Sequence, residues 1–362
     1  MAHIVGNRIV FTGGGSAGHV TPNIAIINEL NKRGAWDIHY IGSKQGIEKE
    51  LITKQHIPYY GISSGKLRRY IDFENIKDMF RVLKGCFEAR KVLKRINPKL
   101  VFSKGGFVSV PVIVAARSLG IPIFIHESDI TPGLANKIAQ KFATKIFTTF
   151  EEATQFFSKD KVATTGSPIR AELLKGSKDF AYKFLGFDER RPILTIMGGS
   201  LGAKKINETV RANLPQLAMH FQIVHLCGKN NIEPSLAFVP GYKQYEYIHE
   251  ELPHILAATD LVITRGGSNA IFEFLALRIP MLIIPLGLNQ SRGDQIMNAE
   301  AFQKRGYGFT LMDEELNGET LVKGVEFLKN NSEFIRSNMT LSTSTNAIPV
   351  LLEEIYKITG AK

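Results

Sequence analysis

The sequence predicts an α/β protein built from two Rossmann-like domains, in which helices cover parallel strands on both faces. Short continuous runs of Ile, Val, Leu and Phe alternate with amphipathic stretches along the chain, as is typical of buried parallel strands. The alternation stops once and then restarts, which indicates a second domain. The length of 362 residues also suits two domains of ordinary size.

Nine apolar runs are predicted as strands, five before the break and four after it. A helix is predicted over Val20–Leu30, directly after the first strand. The domain boundary is placed near Ser167, because the Gly and Pro of Thr164–Ala171 suit a linker, which gives domains over 1–166 and 167–345. The predicted strands are Arg8–Thr12, Ile38–Gly42, Leu100–Ser103, Ile121–His126, Lys145–Thr149, Pro192–Met197, Phe221–Leu226, Leu261–Thr264 and Met281–Pro285.

The composition excludes several classes of protein. With 44% hydrophobic and 22% charged residues, disorder, collagen-like and coiled-coil designs are not expected. Cys86 and Cys227 are the only cysteines, too few for a disulfide scaffold or a cysteine zinc site. Met1–Arg8 has no signal-peptide core, and proline interrupts the apolar stretches Phe107–Ala116 and Ile279–Leu288 well short of the ~20 residues that cross a bilayer. We therefore predict a soluble, cytosolic protein.

The net charge of +11 is distributed unevenly. Residues 1–170 hold 25 Lys and Arg against 13 Asp and Glu, whereas residues 171–362 hold 20 against 21. An N-terminal half of this kind can face nucleic acid or acidic lipid headgroups, or can simply be a solvated basic surface.

Four glycine-rich turns follow predicted strands, two in each half of the chain. Glycine lets backbone amides approach a ligand closely, and the start of the next helix favours an anion such as phosphate. Gly13, Gly15 and Gly18 satisfy the dinucleotide-binding spacing, but the second strand ends in Gly42-Ser43-Lys44 without the acidic residue that holds a ribose. The fingerprint of a dinucleotide-dependent oxidoreductase is thus incomplete. Tight helix packing alone could explain one such turn, but four together favour a ligand site. The four turns are Phe11–His19, Phe102–Phe107, Ile196–Ala203 and Ile263–Ser268.

An ordered series of motifs resembles the MurG-type N-acetylglucosaminyltransferases of bacterial cell-wall synthesis. This is glycosyltransferase family 28, whose members have the GT-B fold, two Rossmann-like domains facing across a cleft. The series covers nearly the whole chain, in the family's order. The matching motifs are Gly13–His19, Ser103–Phe107, His126-Glu127, Pro132–Lys137, Gly198–Ala203, Arg265–Glu273 and Pro285–Asn298, the last containing Gln290–Gln295.

The resemblance implies a reaction. N-acetylglucosamine would pass from UDP-N-acetylglucosamine, with inversion, to the muramoyl C4 hydroxyl of lipid I, the undecaprenyl-diphosphate-linked MurNAc-pentapeptide. The products would be lipid II and UDP, in peptidoglycan synthesis. The first domain would bind the acceptor and the membrane, the second would bind the donor, and a C-terminal helix over 346–362 would pack back on the first domain. No cofactor is expected.

The resemblance places the UDP donor in the second domain. It implies that Glu273 accepts hydrogen bonds from the ribose hydroxyls, that Ser200 contacts the diphosphate and that Gln295 contacts the sugar. Glu273 could instead be an ordinary exposed helix residue, Ser200 a helix N-cap and Arg170 part of an interdomain salt bridge. The implied donor-binding residues are Arg170, Ser200, Arg265, Ser268, Asn269, Ala270, Glu273 and Gln295.

The acceptor is placed in the first domain. An inverting displacement needs a base for the acceptor hydroxyl. His19 is the leading candidate and is expected to face the cleft, although it could serve only as a positioning hydrogen-bond donor. Glu127 and Asp129 are rivals, and Asp129 stands where many relatives carry asparagine. The chain contains no Asp-x-Asp pair, so no metal is expected. The acceptor and diphosphate loops comprise Ser16, Ala17, Gly18, Gly105, Gly106 and Asp129.

A basic amphipathic stretch is the predicted membrane contact. Residues 66–99 hold 11 Lys and Arg against 4 Asp and Glu. Within them Phe73, Ile76, Phe80, Leu83 and Phe87 recur at helical spacing. These side chains could instead pack into the core. With this membrane contact, the enzyme is expected to bind peripherally to the anionic cytoplasmic face of the cell membrane. The predicted contacts are Lys66, Arg68, Arg69, Phe73 and Phe80.

Three other functions fit parts of the pattern. A GT-B enzyme could glycosylate another lipid such as diacylglycerol, and a sugar-nucleotide epimerase could share the architecture. A nucleic-acid-binding protein would explain the basic half, but the chain carries no recognisable nucleic-acid motif, so no nucleic-acid partner is expected.

Overall fold

The computed structural model describes residues 7–65, 73–199, 202–342 and 346–361, with only the backbone described for 73–77. The chain divides into two compact units. The first comprises the described parts of residues 1–168 and 346–362, and the second comprises those of residues 169–345.

The first unit contains a seven-stranded parallel sheet in the order β3-β2-β1-β4-β5-β6-β7. The strands are β1 Asn7–Thr12, β2 Trp36–Ser43, β3 Tyr59–Ile62, β4 Leu100–Ser103, β5 Ile123–Glu127, β6 Lys145–Thr148 and β7 Val162–Thr164. The helices are α1 Thr21–Arg33, α2 Ile47–Thr53, α3 Phe73–Ile96, α4 Ser109–Ser118, α5 Leu134–Ala139 and, near the end of the chain, α14 Ile348–Thr359.

Alternating strand residues build a core on each face of this sheet. Phe11 and Phe102 pack on one face with apolar residues of α1 and α14, and α14 contributes Leu351 and Ile355. Val10 points to the other face, which α3 and α4 cover. Because successive residues of a strand face opposite ways, burial on both faces requires the continuous apolar runs seen in the sequence.

The second unit contains a six-stranded parallel sheet in the order β10-β9-β8-β11-β12-β13. The strands are β8 Ile193–Met197, β9 Gln222–Leu226, β10 Tyr242–Tyr245, β11 Leu261–Thr264, β12 Met281–Ile283 and β13 Gly308–Thr310. The helices are α6 Lys178–Leu185, α7 Lys204–Ala212, α8 Leu214–Ala218, α9 Leu252–Ala258, α10 Ser268–Ala276, α11 Asp294–Lys304, α12 Gly318–Asn330 and α13 Ser332–Thr340.

The predicted fold class, two α/β units with parallel sheets, is confirmed. Each of the nine predicted strands overlaps an observed strand, and the helix predicted over Val20–Leu30 begins one residue later and ends at Arg33. The prediction missed β3, β7, β10 and β13, which are the outermost strands of the two sheets. Within the described residues, no helix has both the length and the apolar character needed to cross a bilayer.

Candidate functional site

A cavity of about 680 Å³ opens in the second unit where β8 and β11 end. Such a position, at the carboxyl ends of parallel strands, is where open α/β sheets bind ligands. The glycine-rich turn after β8, the first turns of α7 and α10, and the segment after β12 form its walls. The lining residues include Gly198, Gly199, Gly202, Lys204, Lys205, Glu208, Arg265, Gly267, Ala270, Leu286, Gln290 and Gln295.

The turn after β8 depends on glycine. Gly199 and Gly202 have φ values of +108° and +79°, which other L-residues adopt only with strain. A Cβ on Gly202 would lie 2.1 Å from the Cys227 carbonyl oxygen, so no side chain fits there. The turn leads into α7, whose first residues line the cavity. The positive end of the α7 dipole thus borders the cavity and favours an anion. Ser200, the predicted diphosphate contact, lies outside the described residues.

Two cations border this cavity that the sequence analysis did not identify. Lys204 and Lys205 occupy the first turn of α7, where the helix dipole disfavours positive charge. The Lys205 ammonium donates to the Asp313 carbonyl oxygen, whereas the Lys204 ammonium lies 3.8 Å from Glu208 Oε1 on the same helix, in an ion pair whose side chains are largely exposed. The signal available was their position, directly after a glycine-rich turn at a helix N-terminus. A bound anion would offset the unfavourable placement of both charges.

Arg170 and Glu273, both predicted donor-binding residues, form a bidentate ion pair. Arg170 Nε donates to Glu273 Oε1 and Arg170 Nη2 to Glu273 Oε2, each over 2.9 Å. Glu273 is 8% exposed and lies one helical turn beyond Ala270 on α10. Glu273 is therefore not an ordinary exposed helix residue. Both partners of the pair belong to the second unit, so this salt bridge of Arg170 is not an interdomain one.

The remaining predicted residues of the second unit mainly shape the cavity wall. The Arg265 guanidinium is buried and donates to Asp313 Oδ1 over 2.5 Å and to the Ile284 carbonyl over 3.1 Å. Gln295 Oε1 accepts from the Leu286 amide over 3.1 Å. The structure thus gives the Arg265 side chain an internal role in holding the end of β12. Ser268, Asn269 and Ala270 form the first turn of α10, with Ser268 buried.

In the first unit two glycine-rich turns lie against each other. Gly105 and Gly106 have φ values of +89° and +82°. A Cβ on Gly106 would lie 2.1 Å from the Gly14 carbonyl oxygen, so the contact between the turns requires glycine. The two turns that carry predicted acceptor-loop residues are therefore brought together at the carboxyl ends of β1 and β4.

His19 ends the short 3-10 helix Ala17–His19, which directly precedes α1. Its Nδ1 lies 3.0 Å from Ser16 Oγ. When Nδ1 carries the proton and donates to the serine, the Nε2 atom holds the lone pair that a base needs. If the Ser16 hydroxyl donates instead, Nε2 carries the proton, so this contact orients the ring and is compatible with both tautomers.

Glu127 has a different environment from His19. Its Oε1 accepts from the Ser128 and Asp129 amides over 2.8 and 3.0 Å, and its Oε2 accepts from the Gly133 amide and Asn136 Nδ2 over 3.1 and 2.9 Å. Burial, together with the Asp129 charge, raises its pKa, against the effect of these hydrogen bonds. Four donors on two buried oxygens suit an organiser of the loop after β5 better than a base that meets substrate.

Lys104, His126 and Gly166 are joined by buried hydrogen bonds that the sequence analysis did not predict. Lys104 Nζ lies 2.6 Å from His126 Nδ1 and also donates to Ser128 Oγ, and His126 Nε2 lies 3.1 Å from the Gly166 carbonyl. Burial, and then the Lys104 charge, hold the His126 pKa well below its usual value. His126 is therefore neutral, with its proton on Nε2. Burial also lowers the Lys104 pKa to about 7, despite the attraction of the nearby carboxylates of Glu127 and Asp129.

The lowered pKa of Lys104 predicts that the stability of the folded chain rises with pH. Between pH 7 and about 10.5 the unfolded chain binds a proton at Lys104 that the folded chain does not, so the free energy of unfolding increases with pH over this interval. Lys104→Met removes this contribution. Urea unfolding at pH 6.5 and pH 8.5 should show wild type gaining about 1–2 kcal/mol over the variant at the higher pH. A difference independent of pH would contradict the assignment.

Helix α3 presents an apolar surface to solvent. Met79, Phe80, Leu83 and Phe87 are 51–74% exposed, whereas Ala89, Leu93 and Ile96 of the same helix are buried in the core. The exposed set, here called the α3 patch, does not pack into the core. Of the other predicted membrane contacts, Lys66, Arg68 and Arg69 lie outside the described residues, as does the side chain of Phe73.

Models of one protein family match most of the chain. The glycosyltransferase family 28 N-terminal domain matches residues 9–148 and the C-terminal domain matches residues 193–355. Among the described residues, no group of His, Cys, Asp and Glu is arranged to hold a metal ion.

Curated relatives match nearly the full length of the chain, among them the two that follow. The UDP-N-acetylglucosamine–N-acetylmuramyl-(pentapeptide) pyrophosphoryl-undecaprenol N-acetylglucosamine transferase 2 of Bacillus cereus is 57% identical, covering 96% of this chain and 99% of its own. The transferase of the same name from Clostridium botulinum, without the number, is 51% identical, covering 97% and 99%. The crystal structure of Acinetobacter baumannii MurG superposes with a TM-score of 0.77 at 23% identity, covering 97% and 99%. The calicheamicin glycosyltransferase CalG4 superposes with a TM-score of 0.69 at 14% identity, covering 99% of each chain.

Proposed function

We propose a function from the premise that this chain belongs to the MurG family of N-acetylglucosamine transferases, within glycosyltransferase family 28, and has the GT-B fold. The resemblance of the sequence motifs to this family is thereby confirmed. The chain transfers N-acetylglucosamine from UDP-N-acetylglucosamine to lipid I, giving lipid II and UDP for peptidoglycan synthesis. The observation that carries the proposal is identity above 50% along nearly the whole chain with transferases of this name.

The second unit is the proposed donor site. Its cavity combines the amides of a glycine-rich turn, the N-terminus of α7 and the cations Lys204 and Lys205, all of which favour a diphosphate. The Glu273 carboxylate accepts hydrogen bonds from the ribose hydroxyls. As the bond to the sugar breaks, these fixed donors stabilise the negative charge that develops on UDP, without a metal ion.

The first unit is the proposed acceptor site. His19 takes the proton of the muramoyl C4 hydroxyl through Nε2 as that oxygen attacks the anomeric carbon, and in this tautomer the Ser16 hydroxyl accepts from Nδ1. A single displacement inverts the configuration at that carbon. Glu127 orders the loop after β5 and leaves the role of base to His19.

The test is transfer of labelled N-acetylglucosamine to a soluble lipid I analogue, with and without EDTA. We expect full activity in EDTA, because helix dipole, amides and lysines supply the positive charge. Diacylglycerol should not be glycosylated, and UDP-N-acetylglucosamine should not be turned over without acceptor. Activity on diacylglycerol alone would refute the acceptor assignment, and loss of activity in EDTA with recovery in magnesium would refute the metal-free mechanism.

The α3 patch supports a peripheral position on the cytoplasmic face of the membrane, where a lipid-linked acceptor would be reached. Exposed aromatic and aliphatic side chains beside a basic sequence suit an anionic bilayer interface.

Removing apolar side chains from the patch should weaken binding to anionic vesicles. We expect Phe80→Ser with Phe87→Ser to lower the fraction that sediments with such vesicles several-fold, because two exposed aromatic side chains no longer enter the interface. Phe238→Ser is the matched control, since Phe238 is 94% exposed in the second unit. Equal sedimentation of wild type, the double variant and the Phe238→Ser control would contradict this proposal. So would a wild-type protein with no preference for anionic over zwitterionic vesicles.

A further inference from the structure

Arg170 and Glu273 are joined in the structure although each is implied separately as a donor contact. We infer that Arg170 acts on the donor through Glu273: it orients the carboxylate toward the ribose hydroxyls and does not contact the diphosphate. This inference rests on the proposed function and makes Arg170 a positioning residue for nucleoside recognition.

The geometry of the pair supports the inference first. Arg170 uses one edge of its guanidinium, Nε and Nη2, to bind both carboxylate oxygens at 2.9 Å, which is the strong fork arrangement. Two carboxylate oxygens offer about four acceptor positions, and the fork occupies two of them. Two remain, which matches the two hydroxyls of a ribose. The pair can therefore stay intact when the nucleoside binds.

Burial supports it second. The Glu273 side chain is 11% exposed, against 34% for that of Arg170. If Arg170 turned away to reach a phosphate, it would break two charge-assisted hydrogen bonds and leave a mostly buried carboxylate without its cation. A phosphate contact through these two N–H groups would thus compete with the contact that the structure already contains, and only the three N–H groups outside the fork remain for another partner.

The placement of the other cations supports it third. The residues lining the cavity at the glycine-rich turn include Lys204 and Lys205 but neither Arg170 nor Glu273. Glu273 lies one helical turn further along α10 than Ala270, which does line the cavity. Positive charge for a diphosphate is therefore present at the cavity itself. A nucleoside extending from that diphosphate along α10 would reach Glu273.

The test compares three ligands: UDP, 2′-deoxy-UDP and uridine, by calorimetric titration of the full chain. In wild type, UDP should bind more tightly than either analogue. Arg170→Met and Glu273→Gln should each reduce the preference for UDP over 2′-deoxy-UDP roughly tenfold, while leaving the preference for UDP over uridine unchanged. Arg170→Lys keeps the charge but lacks the fork, so we expect it to lose part of the same preference.

Two further variants complete the experiment. The double variant Arg170→Met with Glu273→Gln should lose no more of the ribose preference than Glu273→Gln alone. Lys204→Met is the matched control and should lower the preference for UDP over uridine without changing that for UDP over 2′-deoxy-UDP.

Three outcomes would overturn the inference. If Arg170→Met behaves like Lys204→Met, Arg170 contacts the diphosphate directly. If it weakens all three ligands equally, its role is only structural. If wild type binds none of the three, the proposed donor itself is wrong, and that failure is distinct from the other two.

Discussion

His19→Ala is expected to lower kcat by about 10²–10⁴-fold, the typical contribution of a general base. The acceptor hydroxyl would then have to lose its proton to water. Transfer of N-acetylglucosamine to a soluble lipid I analogue at saturating substrates measures this directly. A loss of less than tenfold would exclude His19 as the base.

A second variant separates proton transfer from positioning. His19→Gln can still donate a hydrogen bond but cannot act as a base, so it should be as impaired as His19→Ala. Near-normal turnover of the glutamine variant would mean that His19 only positions the acceptor. Ser16→Ala should show a smaller loss, because it removes the partner of Nδ1 and leaves the imidazole in place.

Asp313→Ala is expected to destabilise the second unit by about 3–5 kcal/mol, the usual cost of removing one partner of a buried ion pair. Arg265 and Asp313 have side chains only 10% and 9% exposed, joined over 2.5 Å. Without the carboxylate, the guanidinium that holds the end of β12 is left as a buried, uncompensated charge. Urea unfolding followed by circular dichroism should show the transition of the second unit at lower urea.

Two controls test the physical cause. Glu319→Ala removes one partner of the Lys323–Glu319 pair, whose side chains are more than 70% exposed, and we expect no measurable loss of stability. Replacing both buried partners by apolar residues, Arg265→Met with Asp313→Leu, should recover much of the stability lost in Asp313→Ala. A loss below 1 kcal/mol for Asp313→Ala would contradict the assignment of a structural ion pair.

The sequence predicted the central strands well and missed the edges, for a physical reason. A central strand such as β4 is buried throughout, so it must be a continuous apolar run. The edge strands β7 and β13 have three residues each and few buried side chains, and β10 reads Tyr-Lys-Gln-Tyr. Edge strands need less apolar sequence, because one side of the strand has no neighbour to bury it. Apolar periodicity therefore cannot find them.

The candidate sites were predictable where local sequence fixes the backbone and not where distant residues meet. The glycine-rich turns were recognisable because close backbone approach excludes other residues, as at Gly106 and Gly202. The pairing of Arg170 with Glu273 joins residues 103 positions apart, and local periodicity carries no information on that contact. The same holds for Lys104, whose partner His126 lies on a neighbouring strand.

A crystal soaked with UDP tests most directly whether the second unit holds the donor nucleotide. The nucleotide should lie with its diphosphate at the turn that contains Gly199 and Gly202, and with its ribose hydroxyls on Glu273. Density for UDP against Gly13–His19 in the first unit, with Glu273 bound only to Arg170, would contradict the assignment of donor and acceptor.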